Sequence, residues 1–152
     1  KLLQKVNQYL LDMNNEEMFV TVLYGVLDQA SGEFHYARAG HEVPILIDRN
    51  DRLVERKFNP GQMLGLFPTP LIDEQVIQLD PGSKILFYTD GATDATDDED
   101  QPLDRDRLVE LFHANHKKLA QETADDLLTA ILAHQGSNPQ FYDITLIVAN
   151  AL

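Results

Sequence analysis

Apolar residues recur at helical spacing through Leu2, Val6, Tyr9, Leu10 and Met13, and the pattern breaks at Asn14-Asn15, so an amphipathic helix opens the chain. Residues 19–27 form an apolar, β-branched run. The turn at 28–32, Asp-Gln-Ala-Ser-Gly, leads into a second extended segment, 33–39, and the two read as a hairpin. A second hairpin joins 44–48 to 53–57, and a third joins 75–79 to 84–89 through Asp80-Pro81-Gly82-Ser83. Six strands therefore precede any later helix. Between the second and third hairpins, residues 59–70 hold Pro60, Gly61, Gly65, Pro68 and Pro70, which marks a crossing loop. An acidic loop at 94–100 then leads to two helices. The first covers 105–115, with Leu108, Leu111 and Phe112 on one face. The second covers 124–134, with Leu127, Leu128, Ile131 and Leu132 inward and Thr123 with Asp126 as an approximate capping box. The last strand spans 144–149, and no repeat or linker divides the 152 residues, so residues 1–152 read as one domain.

Charge narrows the partners. Lys and Arg total 12 against 25 Asp and Glu, for a formal net charge of −13. A nucleic-acid backbone or an anionic membrane would be repelled, whereas divalent cations or a basic protein would be attracted. A soluble, solvated surface explains the same balance. The chain has no Cys, which excludes disulfides, thiolate nucleophiles and Cys-ligated metals. No apolar run approaches the ~20 residues of a membrane span, and no charged-then-apolar leader is present, so the expected location is cytoplasmic. The chain opens at Lys1, directly in a helical pattern, as a segment of a longer polypeptide would.

Candidate chemistry is sparse. His35, His41, His113, His116 and His134 are dispersed and form no zinc-binding pair on a helix. No nucleophile elbow or phosphate-binding glycine loop occurs. The run Asp94, Asp97, Asp98, Glu99, Asp100 does not fall into EF-hand register and reads as a solvated acidic loop. Residues 86–93, Leu-Phe-Tyr-Thr-Asp-Gly-Ala-Thr, are more informative: a rigid apolar strand delivers Asp90 to a fixed point, and Gly91 lets backbone or water approach closely. Asp-Gly is also a common turn pair, and the turn reading stays open. Asp143, at the start of the last strand, supplies a second carboxylate. Two carboxylates from distant strands, in a chain without useful His or Cys, describe a Mg²⁺ or Mn²⁺ site suited to phosphomonoester hydrolysis.

These segments, in order, resemble the metal-dependent protein phosphatases of type 2C, in the branch of stage II sporulation protein E and the sigma-B-regulating phosphatases. The resemblance rests on 3–10 with Asn7, 18–21, 32–41 followed by Pro44, 61–65, 79–82, 87–95 and 143–146, and it covers essentially the whole chain. It implies an α+β fold: a four-layer α-β-β-α sandwich of antiparallel sheets, here N-terminally incomplete. It also implies hydrolysis of phosphoserine or phosphothreonine on a regulatory protein, of the anti-sigma-antagonist kind, in bacterial signal transduction. In the family a metal-bridging water attacks phosphorus directly. The carried-over metal-site residues are Asp90, with Gly91 beside it, and Asp143, with Asp90 the catalytic residue.

Two departures stand against full carry-over. The family's upstream Asp, which bridges both metals, precedes the point where this chain begins. The last motif usually reads Asp-Asp-Ile-Thr, and its first Asp is here Tyr142, a poor Mg²⁺ ligand. His41 occupies the place of an Asp that distant relatives use for an additional metal, or else fixes the turn after Gly40. The alternative function is a non-catalytic, phosphatase-like module that binds a partner or senses state. The chain alone is expected to be nearly inactive, and uncovered sheet edges are expected to favour self-association.

Overall fold

A computed structural model describes residues 1–13, 18–54 and 59–152. In chain order the elements are α1 (Leu2–Met13), β1 (Val22–Leu27), β2 (Glu33–Ala39), β3 (Ile45–Ile47), β4 (Asp73–Gln78), β5 (Lys84–Tyr88), a short helical turn at Asp90–Ala92, α2 (Arg105–Ala114), α3 (Ala120–Gln135) and β6 (Leu146–Asn150). This is an α+β fold with two antiparallel sheets, β1-β2-β4 and β3-β5-β6. Its described residues fall into two compact units, Lys1–His41 with Arg56–Gln78, and Glu42–Glu55 with Leu79–Leu152.

In the first unit, β1 and β2 form the expected hairpin, running from Val22 opposite Ala39 to Leu27 opposite Phe34. The apolar stripe of α1 lies against this sheet: Leu3 is buried with Ala39 and Leu64, and Val6, Leu10, Val22, Ala37 and Ile72 pack around them. Asn7, on the same stripe, is buried because its amide secures the crossing loop. Its Oδ1 accepts from the Gly65 N–H at 2.9 Å and its Nδ2 donates to the Phe67 carbonyl at 2.9 Å. The expected break at Asn14-Asn15 lies outside the described residues.

The expected third hairpin does not form. β4 pairs with β2, from Glu33 opposite Gln78 to Arg38 opposite Asp73, while β5 pairs with β3 and β6. Asp80-Pro81-Gly82-Ser83 does turn, with Ser83 N–H on the Asp80 carbonyl at 2.9 Å, but the Gly82 N–H goes to Ala151 of the C-terminal segment, also at 2.9 Å. Turn chemistry specifies reversal of the chain, not the partner of the next strand. The second hairpin holds as far as it is described: Ile47 bridges Leu53, and Asp48 and Arg52 close the turn at 2.9 Å. Residues 55–57 of its second strand lie outside the described residues.

In the second unit, β5 is the central strand: β6 pairs along it from Lys84 to Tyr88, and β3 pairs with Lys84, Ile85 and Leu86 on its other side. Ile45, Ile47, Leu86 and Tyr88 from the sheet are buried with Leu108 and Phe112 of α2 and Leu127 and Ile131 of α3. Helix α3 differs from its sequence expectation in two respects. It begins at Ala120, where the Glu122 carboxylate accepts the Leu119 N–H at 3.1 Å. Thr123 is therefore inside the first turn rather than at the cap. Second, Leu128 and Leu132 are 40% and 46% exposed, so the buried stripe is the narrower 127/131 pair. Thr123 is buried because Lys84, opening β5 at 3% exposure, reaches it: the ammonium donates to Thr123 Oγ1 at 2.8 Å, to Lys118 O at 2.6 Å and to Asn115 O at 3.2 Å. Burial holds this ammonium below the ordinary lysine range.

Candidate active site

The rigidity of β5 ends at Tyr88, and Thr89 carries the chain out in extended conformation before it coils into the turn at Asp90–Ala92. The Asp90 carbonyl closes that turn, accepting from Thr93 N at 2.9 Å, Asp94 N at 2.8 Å and Thr93 Oγ1 at 3.0 Å. The Asp90 side chain is left exposed, with Oδ1 accepting the Gly91 N–H at 2.9 Å. The strand-end and turn readings of Asp90-Gly91 are thus both realised: the backbone makes the turn, and the carboxylate projects from it.

Two contacts bring the distant 142–145 segment to this turn. Thr89 Oγ1 donates to the Asp143 carbonyl at 2.8 Å and accepts the Thr145 N–H at 3.0 Å, and Thr89 N–H reaches Thr145 O at 3.2 Å. Gly91 is buried so tightly that an added Cβ would stand 2.6 Å from the Asp143 carbonyl oxygen and 3.1 Å from Tyr142 Cβ. Only glycine permits this approach. Asp90, Gly91 and Asp143 are therefore neighbours, and both carboxyl-bearing residues are exposed. Tyr142 is 57% exposed, and its carbonyl accepts Gln140 Nε2 at 2.8 Å.

His41 belongs to the other unit, where it follows Gly40, a left-handed residue with φ 69°. Its Nδ1 pairs with Thr21 Oγ1 at 3.1 Å. Its carbonyl accepts Arg38 Nη1 at 2.8 Å, and Arg38 is itself anchored by a buried ion pair to Asp73 at 3.2 Å and by a bond to Asn59 O at 2.9 Å. Sequence reasoning missed Arg38 and Asp73, although Arg38 falls on the inward register of β2 with Tyr36, and a charge on such a register signals a buried partner.

The acidic loop is built by its own carboxylates. Asp97 Oδ1 accepts N–H groups from Gln101 and Glu99, both at 2.9 Å, and these bonds, the Gln101 one foremost, hold its pKa below 3.8. Among the described residues no three His, Asp or Glu side chains converge as metal ligands. The exposed oxygens of Asp90 and Asp143 suit a hard cation such as Mg²⁺ or Mn²⁺ in kind, but the described donors fall short of a two-metal set in number.

Against known proteins, the family described as Stage II sporulation protein E (SpoIIE) matches residues 1–151. Protein IcfG of Synechocystis sp. is 33% identical over 130 residues, covering 86% of this chain and 20% of that protein. Phosphoserine phosphatase RsbU of Bacillus subtilis is 26% identical over 149 residues, covering 97% of this chain and 44% of that protein. The chain therefore spans less than half the length of either relative. Among solved structures, the RsbU and RsbW domains of Rv1364c from Mycobacterium tuberculosis superpose with a TM-score of 0.75 at 27% identity, over 96% of this chain and 40% of that one.

Proposed function

The chain belongs to the stage II sporulation protein E family of bacterial PP2C-like serine phosphatase domains, and from that premise we propose that it removes phosphate from a phosphoserine or phosphothreonine of a regulatory protein, with Asp90 as a ligand of Mn²⁺ or Mg²⁺. The observation that carries this reading is the Thr89–Gly91 junction, which sets the exposed Asp90 beside Asp143 at the end of the central strand. When bound, a divalent cation supplies an acidified water and neutralises phosphoryl oxygen. The chain's own part is positional: Asp90 offers a carboxylate oxygen, Thr89 holds Asp143 near it, and the absence of a side chain at Gly91 keeps the two segments in contact. The names of RsbU, a phosphoserine phosphatase, and of the RsbU and RsbW domains support a regulatory phosphoprotein as substrate.

A second reading, a non-catalytic module that binds a regulatory partner, draws on Tyr142 and on the short donor set among the described residues. Calorimetric titration of Mn²⁺ into the full-length gene product, paired with phosphate release from a phosphoserine peptide, separates the two. Asp90→Asn keeps the shape and removes the charge. Under the phosphatase reading it lowers turnover by at least roughly 100-fold, the upper end for outer partners of metal ligands. Unchanged metal affinity and turnover in that variant would remove Asp90 from the site. If the second reading holds, the parent releases no phosphate and Tyr142→Asp raises Mn²⁺ affinity by adding an oxygen ligand beside Asp90.

A further inference from the structure

Gln135 closes α3 at 7% exposure. Its Nε2 donates to Asn138 O at 2.9 Å, but its Oε1 is buried with no hydrogen bond. Gln135 lines a small pocket together with Gly91, Asp94, Pro139, Phe141 and Tyr142. A buried acceptor is normally satisfied, and a vacant one in a pocket wall calls for a donor from outside the chain. The surroundings select the donor. Asp94 brings a carboxylate, Phe141 and Tyr142 are 77% and 57% exposed, and the whole chain carries a net charge of −13. A cation with N–H donors meets all three: it pairs with the carboxylate, donates to the amide oxygen and lies against an aromatic face. The interior has room for roughly one water-sized group, which admits an ammonium but not a planar guanidinium.

We propose that this pocket takes the ammonium of a substrate lysine close in sequence to the phosphorylated residue, and that Gln135 is a specificity determinant. Its place beside Gly91 gives it meaning as a substrate subsite, and that part rests on the phosphatase reading above. Affinity for a lysine ammonium does not.

The test is fluorescence anisotropy with labelled phosphoserine peptides carrying lysine, or its uncharged isostere norleucine, at each of the positions flanking the phosphoserine. Titrations at 0.15 M and about 0.5 M salt remove the general attraction of an acidic chain for a basic peptide. The expected result is one position where lysine binds about tenfold tighter than norleucine at both salts, the factor for one charge-assisted hydrogen bond. Gln135→Leu abolishes that preference and leaves norleucine binding unchanged. If Gln135→Leu does not fold, Asp94→Asn, an isosteric change at an exposed side chain, cuts the preference severalfold instead. Equal binding of lysine and norleucine at every position, or a preference untouched by both substitutions, overturns the proposal and leaves the pocket a site for water only. Lysine preference without Mn²⁺-dependent phosphate release keeps the pocket and removes the phosphatase reading; release without the preference does the reverse.

Discussion

A methyl group on Gly91 would meet the Asp143 carbonyl oxygen at 2.6 Å, a backbone atom that cannot swing aside. Gly91→Ala is therefore expected to push the 142–143 segment from the turn and to cost about 1–3 kcal/mol, the usual range for overpacking. Urea unfolding measures the loss, and chemical shifts of Asp143 and Thr145 locate it. At Asp97 the effect is ionic. Its carboxylate is held below 3.8 by N–H groups that only the folded loop presents, so its stabilising contribution is present above pH 3.8 and is lost as the pH falls through the lower folded value. NMR titration of the Asp97 carboxyl carbon should give a midpoint below 3.8, and Asp97→Ala should flatten that part of the acid unfolding curve. Asp90 was legible at this scale, since an apolar run ending in Asp-Gly is a local pattern. Thr89 was in view, but nothing local said that its hydroxyl would hold a carbonyl 54 positions away, and Gln135 looked like any polar helix end.

Among the elements, Lys84 and α3 show how packing refines a pattern. The Lys84 ammonium holds the end of α2 and the start of α3 through Asn115, Lys118 and Thr123. Lys84→Met fills the same space and strips those donors, so it should cost about 2 kcal/mol. Hydrogen exchange should show the loss at the α2–α3 connection before the rest of the sheet. On α3, Ile131→Ala removes a fully buried side chain and should cost about 2–5 kcal/mol, whereas Leu132→Ser, at a side chain 46% exposed, should stay within about 0.5 kcal/mol. Thermal unfolding of the two variants side by side checks this. Helical periodicity announced all four of Leu127, Leu128, Ile131 and Leu132 as inward, because it registers apolar residues and not the width of the surface that covers them.

For the molecule as a whole, β1 and β4 close the two ends of the first unit's sheet in the strand order, and the outer strand β1 exposes Tyr24, Val26 and Leu27. Such an edge recruits another strand. The chain is expected to self-associate at high concentration, and Val26→Lys, which places a charge on that edge, should shift it toward monomer in sedimentation velocity. A strictly monomeric chain at high concentration would refute the edge as an association site. Among the described residues no helix is long and apolar enough to cross a membrane. The sequence by itself determined the helices, most strands, the turns and the exposed carboxylate at Asp90, because periodicity, β-branching and turn residues act over a few positions. Tertiary structure alone decided that β4 joins β2 instead of β5, that Lys84 is buried with partners, and that Gly91 lies against Asp143. Those outcomes depend on which distant surfaces bury one another once the loops close, and no residue carries that information in its immediate neighbours.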